Sequence, residues 1–303
     1  MPFFSIVIPV YNRADILLET LYSIKNQTFS DWECIVVDDG STDGTKDLIE
    51  LESQIDARIK YIYQDNSERS AARNNGSANA NGQYICFLDS DDKYIETYLQ
   101  ILYNEILKSN YSKALFISDF CIWDGIDAIQ VEVPVIENPI ADWLFHYPVS
   151  PSRTCVHNEI LKKYKFREDI VIVEDTVLWV SISNEYPILQ VKQPLVWYRV
   201  HEGNSVNKDT KSAFDRYKGM KKFFSESLSD CVSIEVKSEM MSDVRFRMAE
   251  YYQLKNQNLQ AIKDTIHSIM IQPTNYQTKL KIFFILSYLP GFKYLWNKSV
   301  RRR

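Results

Sequence analysis

Tyr84-Ile-Cys-Phe-Leu-Asp-Ser-Asp-Asp92 decides the fold: a wholly apolar run that breaks off into a cluster of acids. A run of this length with no polar alternation reads as a strand buried on both faces, which is the strand type of a parallel sheet. Working outward, the same pattern recurs. Phe3 to Val10 and Trp32 to Val37 are β-branched runs, Ile59 to Tyr63 is a third, and Ala114 to Ser118 follows. Helical stripes separate them: Asp15 to Gln27 with Ile16, Leu17, Leu21 and Ile24, then segments from Thr42 or Asp43 to Glu52, from Ser67 or Glu68 to about Ala80, and from Tyr94 to Lys108. Strand–helix alternation predicts an α/β fold: a Rossmann-like, mostly parallel sheet with helices on both faces and right-handed crossovers.

The middle of the chain, about 119–208, is less regular and holds six prolines, from Pro134 to Pro194. A helix is expected at Glu174–Asn184 and a strand at Gln190–Tyr198. From about Asp209 the pattern is helical. The domain reading is therefore an α/β part at 1–208, with a regular half (1–118) and a less regular half (119–208), followed by a helical region at 209–303.

The 303 residues carry 45% hydrophobic and 25% charged side chains, ordinary globular values. The net charge of −5 argues against a general nucleic-acid binder. The charge is uneven. No acid follows Asp264, while Lys279, Lys281, Lys293, Lys298 and Arg301–Arg303 do, so the tail is +7 and the rest −12. The five cysteines form no CxxC pair, which fits a reducing compartment. No signal peptide and no stretch of about 20 apolar residues is evident.

In open α/β sheets, ligands bind beyond the carboxyl ends of the strands. Three such ends are polar here: Tyr11-Asn12-Arg13, Asp38-Asp39 and Asp89-Ser90-Asp91-Asp92. Acids gathered at one edge repel one another, and a divalent cation relieves this. Oxygen ligands suit Mg²⁺ or Mn²⁺, which in turn hold phosphates. The same acids would also serve as turn formers and helix caps. No G-x-G-x-x-G, G-x-x-x-x-G-K-[ST], HExxH or G-x-S-x-G is present, and the four histidines lack zinc spacing, so nicotinamide enzymes, P-loop ATPases and zinc or serine hydrolases are disfavoured.

Four segments in order, Ser5-Ile-Val-Ile-Pro-Val-Tyr-Asn12, Trp32 to Asp43, Ala71-Ala-Arg-Asn-Asn-Gly76 and Phe87 to Asp92, resemble glycosyltransferase family 2. Weaker likeness continues through Val173-Glu-Asp175 and Trp197 to Ser205. The resemblance implies a GT-A (nucleotide-diphospho-sugar transferase) fold and a nucleotide-sugar-dependent, inverting transferase, with UDP-sugar as the expected donor. It places Pro9, Val10, Tyr11 and Asn12 in the nucleotide pocket, Tyr11 near the base. Asp39 accepts from the uracil N3–H or a neighbouring edge, and Arg73 approaches base or diphosphate. Asp89 and Asp91 form a DxD motif with Ser90 between them in the cofactor-binding set. Asp91 is the expected metal ligand, and Asp89 a ribose or metal contact. His201 matches a position that helps bind metal or diphosphate in some relatives. Asp175 matches the catalytic base, with Glu174 as the alternative and a plain helix cap as the bland reading. The start of the following helix is expected to keep Asp175 ionised. No QxxRW motif is present, which disfavours processive polymerisation.

The implied acceptor is a glycan or lipid-linked hydroxyl in bacterial surface polysaccharide synthesis, and the implied location is cytoplasmic. The apolar, basic segment 279–303 suggests peripheral contact with the anionic inner face of the cytoplasmic membrane, or packing against the catalytic part. Two other classes compete: a sugar-phosphate nucleotidyltransferase, disfavoured by the absence of a Gly-rich loop after the first strand, and a non-catalytic carbohydrate-binding protein, disfavoured by the intact acids.

Overall fold

The computed structural model describes residues 1–201, 212–273 and 277–288. The chain divides into two compact units, one of residues 1–169 and 174–205, the other of 170–173 and 206–303.

The first unit opens with β1 (Phe4–Val10), α1 (Leu17–Lys25), β2 (Trp32–Asp38), α2 (Thr45–Ile55), β3 (Ile59–Tyr63), α3 (Glu68–Ala78) and β4 (Tyr84–Phe87). There follow β5 (Lys93–Tyr94), α4 (Tyr98–Lys108), β6 (Leu115–Trp123), β7 (Ala128–Gln130), α5 (Ile140–His146), a 3₁₀ turn at Pro151–Arg153, β8 (Thr154–His157), α6 (Asn158–Lys163), α7 (Glu174–Ser183) and β9 (Ile188–Arg199). The nine strands among the described residues join one sheet, in the order β3-β2-β1-β4-β8-β6-β9-β5, with β7 beside β6.

Alternation within the buried strands explains the layers. Ile6, Ile8, Cys34 and Val36 point to one face, where Leu17, Leu21 and Ile24 of α1, Ile49 of α2 and Leu99 and Leu102 of α4 complete the core. Ile35 and Val37 point to the other face and meet Ala72 of α3. Helix α3 lies close to the sheet because Gly76 has no side chain. A Cβ there would overlap Val7 Cγ1 and sit 3.1 Å from Val37 Cγ2.

The β3-β2-β1-β4 half is parallel, as the alternation predicts. The sheet as a whole is mixed. Strand β8 runs antiparallel to both β4 and β6, while β9 returns parallel to β6 with a bulge near Asp119. Parallel pairing needs a crossover, usually a helix. The chain from β6 to β8 passes instead through the β6–β7 hairpin and α5, and it comes back in the opposite sense.

The expected helix from Tyr94 starts only at Tyr98. Lys93 and Tyr94 pair with Trp197 and Val196 as an antiparallel strand, and the Tyr94 hydroxyl donates to Phe87 O at 2.6 Å. Tertiary pairing overrides the local helical pattern there.

The second unit is helical: α8 (Ser212–Phe224), α9 (Ile234–Leu254), α10 (Asn258–Ile271) and α11 (Thr278–Leu286). Among the described residues no helix is long and apolar enough to cross a membrane. The part of the basic tail from Leu289 to Arg303, on which the membrane expectation chiefly rests, lies outside the described residues, as do Glu202 to Ser205.

Candidate active site

The carboxyl ends of β1, β2 and β4 and the first turns of α3 open onto a cleft of about 570 Å³. Of the residues singled out in the sequence, Pro9, Val10, Tyr11, Asp39, Arg73, Asp89, Ser90 and Asp91 line it. Tyr11 is half exposed, so its ring is open to a ligand.

Asp39 closes one wall. Its Oδ1 accepts from Gln64 Nε2 at 2.7 Å and from the Ser67 N–H at 2.8 Å, which orients the carboxylate at the cleft. Gly40 makes this turn possible: its φ is +81° and a Cβ would come within 2.9 Å of Asn66 N.

Asn12 departs from the expectation. It is not part of the cleft lining. Its Oδ1 accepts from the Thr42 N–H at 2.8 Å, its own N–H donates to Ser41 Oγ at 2.9 Å, and its φ is +50°. An asparagine tolerates this left-handed conformation and can fasten a neighbouring loop with its amide. Here it ties the β1 end to the loop after β2.

The Asp89–Asp92 cluster divides into two kinds of acid. Asp89 Oδ1 accepts from Arg73 Nη2 at 2.6 Å, and Asp91 Oδ2 lies 2.9 Å from His201 Nε2 and 4.0 Å from Arg13 Nη2. Both carboxylates are partly exposed. Asp92 is turned inward and is buried, with Oδ2 accepting from Ser152 Oγ at 2.6 Å and Oδ1 from the Arg199 N–H at 3.0 Å. Burial drives its pKa well above the carboxylate range, Asp89 and Asp91 add to the shift, and the two hydrogen bonds oppose it.

Arg73 and Arg69 stand four residues apart on α3 and so share a face. Arg73 is buried, pairs with Asp89 and lies 3.4 Å from Glu174 Oε1. Burial works against its charge, but the carboxylates of Asp89 and Glu174 outweigh it and raise its pKa. Its Nε has no hydrogen-bond partner among the described residues. Arg69 Nε is 3.4 Å from the same Glu174 oxygen, and Arg69 also lines the cleft.

Glu174 and Asp175 begin α7. Val173, just before them, has φ +72°, a strained conformation for a β-branched residue and one that clusters at functional sites. Burial, and then repulsion from Asp175, raises Glu174 to about 7 against the pull of Arg69 and Arg73. Asp175 Oδ1 accepts from the Thr176 N–H at 2.6 Å. That bond and the two arginines favour the ionised form as expected, yet burial wins and its pKa is raised. A carboxylate moved toward neutral pH is better matched to general-base work than one held fully acidic. Asp175 is not among the residues that line the cleft.

Among the described residues no group of three or more His, Cys, Asp and Glu side chains converges as a metal cage. The donors present still fit a cation that keeps open positions. Asp91 Oδ2 and His201 Nε2, 2.9 Å apart, are in hydrogen-bond contact, and a cation held by both would replace that contact. The Asp91 carboxylate suits Mg²⁺ or Mn²⁺, whereas an imidazole is the more usual ligand of Zn, Cu, Fe or Ni. Asp89 is held by Arg73 instead, and His201 does not itself line the cleft.

Sequence reasoning named Arg13 only as part of a polar strand end and gave no site role to Arg69 or Tyr198, all of which line the cleft. The i, i+4 spacing of Arg69 and Arg73 was the available signal for one of them. Tyr198 becomes visible only once β9 is placed beside β6.

A family model described as glycosyl transferase family 2 matches residues 5–142. An uncharacterized glycosyltransferase of Rickettsia conorii is 32% identical over 68% of this chain and 34% of its own length. The chain spans about a third of the length of the first curated relatives it matches. A GalNAc(5)-diNAcBac-PP-undecaprenol beta-1,3-glucosyltransferase of Campylobacter jejuni is 27% identical over 96% of this chain and 95% of its own. Among solved structures, S. aureus TarS 1-349 in complex with UDP superposes with a TM-score of 0.67 at 20% identity, covering all of this chain and 92% of that one. That likeness shows a GT-A fold.

Proposed function

This chain belongs to glycosyltransferase family 2, and from that premise we propose that it moves a sugar from a UDP-sugar to a hydroxyl of a glycan or lipid-linked glycan, with inversion, in bacterial surface polysaccharide synthesis. The observation that carries this reading is the buried Arg73. It joins Asp89 in the cleft to Glu174, the neighbour of Asp175, and so ties the donor side to the expected base. The UDP in the TarS complex and the undecaprenol-linked acceptor in the name of the Campylobacter relative support the two substrate classes.

In this reading Asp39 receives the uracil edge beside Tyr11. Arg13, Arg69 and Arg73 face the diphosphate, whose negative charge grows as the glycosidic bond breaks. Asp91 and His201 would hold a Mg²⁺ or Mn²⁺ ion, which supplies further charge neutralisation to the leaving diphosphate. Asp175 takes the proton of the acceptor hydroxyl as that oxygen attacks the anomeric carbon. Attack on the side opposite the leaving group inverts the configuration, as in inverting sugar hydrolysis.

The test is donor turnover with UDP-sugars and Mn²⁺, followed by NMR of the product anomer. Asp175→Asn should abolish transfer and leave UDP binding near the wild-type value, because the base acts on the acceptor. A product that keeps the donor's anomeric configuration, or an active Asp175→Asn, would overturn the assignment.

A further inference from the structure

The loop that carries Asp89 and Asp91 is held from the turn that leads into β8. The Leu88 N–H makes the last ladder bond of this strand, to Val7 O at 3.0 Å. The next N–H, that of Asp89, leaves the ladder and donates to Ser152 Oγ at 3.0 Å. The same hydroxyl donates to Asp92 Oδ2 at 2.6 Å. Ser152 thus bonds both ends of the four-residue loop. It is wholly buried, in the turn at Pro151–Arg153 whose first residue is a proline.

The rest of the loop is equally restrained. Arg199 donates from its N–H to Asp92 Oδ1 and from Nε to Asp91 O, both at 3.0 Å. Thr20 Oγ1 donates to Ser90 O at 3.0 Å and to Asp92 O at 2.9 Å. With the backbone and Asp92 fixed in this way, the Asp89 and Asp91 carboxylates are the groups left to meet a ligand.

We propose that Ser152 is a positioning residue that sets Asp89 and Asp91 for the diphosphate and its cation. The inference rests on the donor-site reading above. Its hydroxyl has two tasks, accepting from a backbone N–H and donating to a buried carboxylate. A catalytic group presented by a loop must be held to a fraction of an ångström, and removing such a support costs about ten- to a hundredfold in metal affinity or activity.

The molecule contains a matched control. Ser5 Oγ also bridges a carboxylate and a backbone N–H, donating to Glu33 at 2.6 Å and accepting from Gly82 at 2.8 Å. It too is wholly buried, but at the opposite end of the strands, away from the cleft. Loss of either hydroxyl removes the same two kinds of bond. Only one of them touches the acidic loop.

The experiment is calorimetric titration of full-length protein with UDP in the presence of Mn²⁺, for wild type, Ser152→Ala and Ser5→Ala, with a thermal melt of each. The expected result is similar lowering of the melting temperature in both variants, with UDP–Mn²⁺ affinity reduced about ten- to a hundredfold in Ser152→Ala alone. If Ser152→Ala does not fold, Ser152→Cys, whose larger thiol is a weak donor and a weak acceptor, weakens both bonds and carries the same expectation. Equal UDP–Mn²⁺ affinity in wild type and the Ser152 variant, or an equal loss in both serine variants, overturns the positioning role. A wild type that fails to bind UDP with Mn²⁺ overturns the donor-site reading instead, and the two failures are told apart by the wild-type titration.

Discussion

Replacing Glu174 by Gln should remove a pH dependence from the stability of the first unit. The carboxyl is buried, and its pKa moves from an ordinary 4.5 to about 7, through burial first and Asp175 second. The unfolded chain loses this proton near 4.5, while the folded chain keeps it until about 7. Between those values the folded state binds more protons, so stability falls as pH rises. At about 1.4 kcal/mol per pH unit, the loss across the window is ~3 kcal/mol. Asp175, whose pKa is also raised, contributes with the same sign. Glutamine does not titrate, so the wild type should be more stable relative to Glu174→Gln at pH 4.5 than at pH 7.5, by about that amount. Urea denaturation followed by tryptophan fluorescence, in steps of half a pH unit, measures the difference; Trp179, wholly buried in α7, reports on the region. A difference between the two proteins that stays constant from pH 4.5 to 7.5 would refute the argument, because it would mean that Glu174 ionises alike in folded and unfolded chains.

Arg73→Met should destabilise the protein by about 3–5 kcal/mol, the usual cost of breaking a buried ion pair from one side, and should weaken UDP binding; a wild-type urea midpoint would contradict the pairing of this buried cation with Asp89 and Glu174. Gly76→Ala sets a helix-propensity gain of about 1 kcal/mol against overpacking of up to about 3 kcal/mol on Val7 and Val37. The expected net loss of ~2 kcal/mol lowers the melting temperature by roughly 4–8 °C, and an unchanged melt would show that α3 can move off the sheet.

The parallel half of the fold was legible because its signal is local. A buried strand is an unbroken apolar run, and Phe4–Val10, Trp32–Asp38 and Tyr84–Phe87 are such runs. The β8-β6-β9-β5 half was not, because pairing decides it. Nothing near Lys93 announces a strand that exists only against Trp197, and nothing near Thr154 says that β8 will lie antiparallel between β4 and β6. The site divides in the same way. Residue type and strand end located Asp39, Asp89 and Asp91 at the cleft. By themselves they do not distinguish Asp91, facing His201, from Asp92, buried on Ser152; the D-x-D likeness singled out Asp89 and Asp91, and the chain's return to Ser152 and Arg199 turns Asp92 inward. Asn12 shares the polar strand end with Tyr11, but its backbone turns left-handed and sends its amide to Thr42.

The position of β8 bears on how this protein is made. By the time Phe87 has been synthesised, four parallel strands can assemble, with the β1 side of β4 already paired. The other edge of β4 waits for His157, Val156 and Cys155, which lie roughly 70 residues further along the chain. At 5–20 residues per second that edge stays open for roughly 4–14 s on the ribosome. Its residues, Tyr84, Ile85, Cys86 and Phe87, are wholly buried in the finished fold. An unpaired strand edge of this composition invites pairing with another nascent chain. The interval between β4 and β8 is therefore a period of exposure during synthesis, and slow translation through residues 88–153 lengthens it.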